Sequence, residues 1–82
     1  MTPQQLDVLR RAFRETFDLD PQYAVDDLAY QSLAAWDSVG HMRLVAALET
    51  AFDVMLDTDE VIGLSSFAKA EEIMGRYVVS EG

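Results

Sequence analysis

Apolar residues recur at helical spacing in three segments of this chain, and nowhere do they alternate as a strand requires. Leu6, Leu9, Phe13, Thr16 and Phe17 share one face of a predicted helix over residues 3–17. Thr2 can cap that helix, Pro3 suits its first position and Gln5 completes a capping box. Met42, Val45, Leu48 and Phe52 form a stripe on a second helix, with Leu44 at its edge. That helix is capped by Asp37 and runs to Ala51 or Phe52. Arg43, Ala47 and Thr50 point the other way, and Val39 falls on the outward side. Phe67, Ala70, Ile73, Met74, Tyr77 and Val78 make an unbroken arc on a last helix, capped by Ser65 or Ser66 and reaching about Val79. Between these two, Asp57-Thr58-Asp59-Glu60 is another capping box, and Gly63 can stop the helix it opens after a turn and a half.

The exception to this periodicity is the stretch from Asp18 to Asp37. Pro21 ends the first helix, because a proline disfavours helix in the residue before it. Val25, Leu28, Tyr30 and Leu33 can pin the stretch as an ordered surface loop, with a short turn near Asp26–Leu28. A connection this long in a small domain is usually functional or disordered. The expectation is an all-α fold: a four-helix bundle with three long helices, one short third helix and a long loop between helices 1 and 2. The 82 residues are expected to form one domain, residues 1–82. A domain of that size buries roughly 60–65% of its unfolded surface, which leaves no room for an enclosed catalytic cavity.

The net charge is −9, which argues against nucleic acid and anionic membranes as partners, since phosphate repulsion dominates. It suits docking on basic protein surfaces. The acid is uneven: residues 1–17 sum to +1, residues 18–37 to −5 and residues 38–64 to −4. There is no cysteine, which fits a reducing cytoplasm and removes thiolate metal sites. The N-terminal segment has neither a basic region nor an apolar run, so no signal peptide is expected, and no segment approaches a membrane span.

Asp37-Ser38 lies where the acid and the second helix meet. Both are ordinary capping residues, and only one can be the cap. With Asp37 as cap, Ser38 takes the first helical position with its hydroxyl free and facing solvent. Unpaired N–H groups and the helix dipole there favour an attached phosphate. His41, one turn on, falls inside the apolar arc. A Ser38–His41 hydrolytic pair would need an orienting partner, and nothing supplies an oxyanion hole or a substrate pocket, so His41 is expected to have a packing or half-buried role. Trp36 is expected to anchor the loop. Asp57, Asp59 and Glu60 do not make a calcium loop: the sixth residue is Ile62 where glycine is needed, and the twelfth is Ala68 where glutamate is needed. No metal site is expected.

In this layout Asp37-Ser38-Val39 resembles the acyl carrier protein family. The likeness covers essentially the whole chain. It includes Leu44-Val45-Ala46-Ala47-Leu48-Glu49, Phe52-Asp53-Val54, Asp57-Thr58-Asp59-Glu60 and Leu64-Ser65-Ser66-Phe67. It implies a non-enzymatic carrier with 4'-phosphopantetheine esterified to Ser38, next to Asp37. The terminal thiol of that arm would hold acyl or aminoacyl groups as thioesters. It also implies Val39, Ala46 and Glu49 as partner contacts. Arg43 is a further expected contact, because it stands where the best-known fatty-acid carriers tend to be acidic. Val39 replaces their usual leucine. Trp36 and Gly40-His41 look more like free-standing carriers of polyketide, nonribosomal-peptide or related pathways. The implied partners are a phosphopantetheinyl transferase, a loading enzyme (an adenylating ligase or an acyltransferase) and a downstream synthase or transferase, met by a monomeric carrier. The alternative reading is an acidic helical adaptor without a prosthetic group, in which Asp37-Ser38 is merely a cap.

Overall fold

The computed structural model describes residues 1–78. Four helices make up most of it: α1 (Pro3–Thr16), α2 (Ser38–Phe52), α3 (Thr58–Gly63) and α4 (Phe67–Gly75). Among the described residues there is no strand, only one isolated bridge between Ala29 and Ser66. No helix among them is long and apolar enough to cross a membrane.

Each helix start follows from its capping chemistry. The Thr2 hydroxyl accepts from Gln5 N–H, and the Gln5 side chain accepts from Thr2 N–H, so both ends of the capping box are closed. Asp57 and Glu60 close the same arrangement at α3. At α4 the cap is Ser66, whose hydroxyl accepts from Lys69 N–H at 3.0 Å. Two aspartates just beyond helix ends, Asp18 (φ 55°) and Asp53 (φ 54°), take the left-handed conformation. A short polar side chain tolerates it better than most.

The core is one cluster fed by every segment. Leu9, Phe13 and Phe17 come from the first segment, Leu44, Val45 and Leu48 from α2, and Phe67, Ala70, Ile73 and Met74 from α4. The Phe13 ring meets the rings of Phe17, Trp36 and Phe67 edge-on, with centroids 5.1–6.3 Å apart. Such pairs add packing energy beyond the area they bury.

Three expectations are corrected. Met42 is not in the core but 55% exposed, whereas Leu44, placed at the edge, is fully buried. The buried line of α2 is set by α1 on one side and the aromatic loop on the other, which turns Met42 toward α3. The last helix ends at Gly75, and the chain then tightens into turn bonds, Arg76 N–H to Ile73 and Tyr77 N–H to Met74. Glycine is a poor helix former, which suits an end at this point. The expected terminus at Val79 lies outside the described residues. The lengths are therefore 14, 15, 6 and 9 residues, two long helices and not three.

The long loop is ordered by specific ties. Val25, Leu28 and Trp36 are buried. Leu28 N–H closes one turn on the Val25 carbonyl. The loop then crosses the start of α4, where Phe67 N–H donates to Leu28 and Tyr30 N–H donates to Ser65, each at 2.8 Å. Arg10 grips Asp26 with two parallel bonds of 3.0 Å. That guanidinium holds the Asp26 carboxyl below its ordinary range and is itself raised by the pairing.

Gly40 is where loop and α2 come closest. A Cβ built there would lie 1.9 Å from the Ala35 carbonyl oxygen. Gly40→Ala is expected to destabilise the protein by about 1–3 kcal/mol, the cost typical of an overpacked contact. Gly75, with nothing within 4 Å of an added Cβ, should respond oppositely, gaining about 0.5–1 kcal/mol as alanine. Urea unfolding midpoints of the two variants test both signs.

Candidate functional site

The site grows from the first turn of α2. The Asp37 side chain accepts from Gly40 N–H at 2.8 Å, and its carbonyl accepts from His41 N–H at 2.7 Å. Asp37 is therefore the cap, and the Ser38 hydroxyl is not spent on capping. Ser38 occupies the first helical position and is exposed. Helix geometry leaves the N–H groups of Ser38 and Val39 without intrahelical acceptors, and the dipole makes this end positive.

His41 fixes what lies beside the serine. The Trp36 indole N–H donates to His41 Nδ1 at 3.0 Å. His41 Nε2 lies 2.8 Å from the Val61 carbonyl. Because Nδ1 accepts, the ring proton belongs on Nε2, and both bonds are satisfied by one neutral tautomer. The two rings also stack, 14° from parallel with centroids 6.3 Å apart. Tyr30 meets both edge-on. The loop, α2 and α3 are thus joined at one point, immediately behind Ser38. His41 is half-buried and turned into this contact, so it offers no base to the serine.

Next to the serine is a groove of 340 Å³, lined by Tyr30, Ser38, His41, Met42, Ile62, Leu64 and Ser65. Its wall is mostly apolar and partly exposed: Ile62 is 73% and Met42 55% exposed. Val39, at 68%, extends the apolar surface beside Ser38. Large apolar side chains grouped around one exposed hydroxyl mark an interaction surface more than scattered ones do.

The four expected partner contacts do not share one environment. Val39 and Ala46 are exposed. Arg43 is exposed and bends toward α1, where it donates to the Thr16 carbonyl at 3.4 Å. Glu49 is half-buried, and one carboxylate oxygen accepts from Leu56 N–H at 2.9 Å. It holds the α2–α3 connection, which sequence spacing gave no reason to expect. The groove residues Tyr30, Met42, Ile62 and Leu64 were also missed. Tyr30, Ile62 and Leu64 carry the cue of being apolar residues without a place in a helical stripe, whereas Met42 fits the stripe of α2 and carries no such cue.

α3 has no fully buried residue; its half-buried Val61 packs against the core, and two side-chain ties add to that contact. One is the His41–Val61 bond. The other is the Tyr77 hydroxyl, which donates to the Glu60 carboxylate. That bond pushes the Tyr77 phenol up to about 12 and, with the Asp57 backbone N–H, lowers the Glu60 carboxyl. Among the described residues, no group of three or more His, Asp or Glu side chains is placed to hold a metal ion.

Comparison of the chain with protein-family models, curated proteins and solved structures returns no match.

His41→Leu is expected to destabilise by about 1–3 kcal/mol, because it strands the buried Trp36 indole N–H. In a Trp36→Phe background, where no N–H needs an acceptor, the same change should cost less. A double-mutant cycle from denaturant unfolding measures the difference. Equal costs in the two backgrounds would show that the indole–imidazole bond does not stabilise the fold.

Proposed function

We propose that this protein is an acyl carrier, a small helical bundle that accepts 4'-phosphopantetheine on Ser38 and presents its cargo to successive enzymes. The observation that carries the reading is the first turn of α2. Asp37 makes the cap, so an exposed serine hydroxyl is left free at a helix N-terminus. The family-like residue pattern of the whole chain supports it.

The residues present fit such an arm. A phosphodiester on Ser38 would meet the free N–H groups of the first turn and the positive end of the helix dipole. The apolar groove of Tyr30, Met42, Ile62 and Leu64 opens beside the same serine. When bound, the arm supplies a thiol that holds an acyl or aminoacyl group as a thioester. The chain itself positions and does not react. Asp37 fixes the helix start, Trp36 and His41 tie the loop and α3 together behind the serine, and Val39 offers an apolar contact to an incoming enzyme. The net charge of −9 favours rapid, weak docking on basic surfaces. A phosphopantetheinyl transferase, a loading enzyme (an adenylating ligase or an acyltransferase) and a downstream synthase or transferase are the partners this chemistry requires. Trp36 and Gly40-His41 favour a polyketide, nonribosomal-peptide or related pathway.

Incubation with coenzyme A and a broad-specificity phosphopantetheinyl transferase should raise the intact mass by one arm. Ser38→Ala should keep the wild-type circular dichroism and show no gain. Absence of a gain with several transferases would favour the acidic adaptor.

A further inference from the structure

A second surface lies between α1 and α2, on another side of α2 from the serine. Arg43 follows Ser38 by five residues, about 140° around the helix at ~100° per residue. Ser38 faces the α3 side, and Arg43 faces α1. Between the two helices runs an open groove of 710 Å³, with Val8, Ala12, Ala47 and Ala51 in its lining and Arg11, Arg43 and Glu15 beside them.

The electrostatics of this groove differ from those of the rest of the molecule. Arg10 is paired with Asp7 and Asp26, and Lys69 and Arg76 with Glu72; Arg14 forms no ion pair, but it donates to the Tyr23 carbonyl and lines a separate hollow where Asp7, Glu15 and Asp18 outnumber it and Arg11. Among the described residues, no carboxylate pairs with Arg11 or Arg43. Glu15 shares the groove without closing on either, so the local sum is positive on a chain of −9. Arg43 gives one N–H to the Thr16 carbonyl, and its remaining donors are free for a carboxylate. The small side chains let another backbone approach closely, as a helix does when it packs across two others.

We propose that the α1–α2 groove is a docking surface for an acidic amphipathic helix of a partner protein. Carboxylates on that helix pair with Arg11 and Arg43, and its small apolar face lies on the alanines. The remaining acidic surface repels such a helix, which confines it to this groove. Ser38 stays free while the groove is filled, so one partner can retain the protein while another works at the serine end. The docking itself does not depend on any group attached to Ser38.

The probe is a synthetic helical peptide with alanine and leucine on one face and glutamates spaced four apart beside it. Its control has lysines in place of the glutamates. Titrated into the ¹⁵N-labelled protein, the glutamate peptide should shift the amides of Ala12, Ala46, Ala47 and Ala51 and leave Ser38 and Ile62 unmoved. The lysine peptide should not bind there. Arg11→Gln, which disturbs no internal bond, should weaken binding several-fold, and Arg11→Gln/Arg43→Gln by about tenfold or more. Lys69→Gln should change nothing, and salt at ~0.5 M should weaken the complex. The proposal is overturned if the glutamate peptide shifts no groove amide, if the lysine peptide binds as well, or if Arg11→Gln binds as tightly as the unaltered protein. Groove shifts that depend on protein concentration without peptide would assign the surface to a second copy instead, and would equally overturn it.

Discussion

The hydrogen bond from the Trp36 indole to His41 is the contact on which the arrangement of this molecule depends. Trp36 is fully buried, on a loop with no regular structure of its own. Its ring packs on Phe13 and Phe17 from the first segment and on His41 from α2. Through Nε2 of the same histidine the connection continues to the Val61 carbonyl on α3. A buried N–H without an acceptor costs more than an ordinary hydrogen bond contributes. The loop therefore has one favourable position, and that position places Asp37 where α2 begins. Gly40 completes the seam, since only a residue without Cβ lets the Ala35 carbonyl sit against the helix.

Ser38 is the outcome of this construction. It is exposed because Asp37 already caps the helix, and it is next to α3 because His41 holds Val61. α3 has no fully buried residue; Val61 packs half-buried against the core, and the helix is tied by His41 on one side and Tyr77 on the other. Stability and presentation of the serine are thus parts of one network. The groove beside the serine is what remains when the loop and α3 are held apart by an imidazole ring.

Much of the fold was legible in the chain because helices announce themselves locally. The capping boxes Thr2–Gln5 and Asp57–Glu60 and the caps Asp37 and Ser66 involve residues three apart, a distance sequence reading handles well. The loop pins Val25 and Leu28 were also legible as apolar residues stranded in an acidic stretch. What failed was the rotation of α2 and the length of α4. Met42 and Leu44 both fit a helical stripe, and only the position of the aromatic loop decides between them. The end of α4 is decided by Gly75 and by turn bonds beyond it, a balance that apolar periodicity does not register. Within the candidate site, the cap at Asp37 and the first helical position of Ser38 were readable from capping chemistry. The Trp36–His41–Val61 connection was not, because its last partner is a backbone carbonyl twenty residues from the histidine. Glu49 was invisible for the same reason: its partner, Leu56 N–H, has no side-chain signature.

The role given to Ser38 is tested most directly on the protein isolated from its own cells. Proteolysis followed by tandem mass spectrometry locates any attached group to one residue. A carrier held in this way has a phosphopantetheine arm on the peptide containing Trp36-Asp37-Ser38-Val39, with fragment ions placing it on Ser38. A Ser38 that is always unmodified, or an arm on Ser32, Ser65 or Ser66 instead, contradicts the assignment.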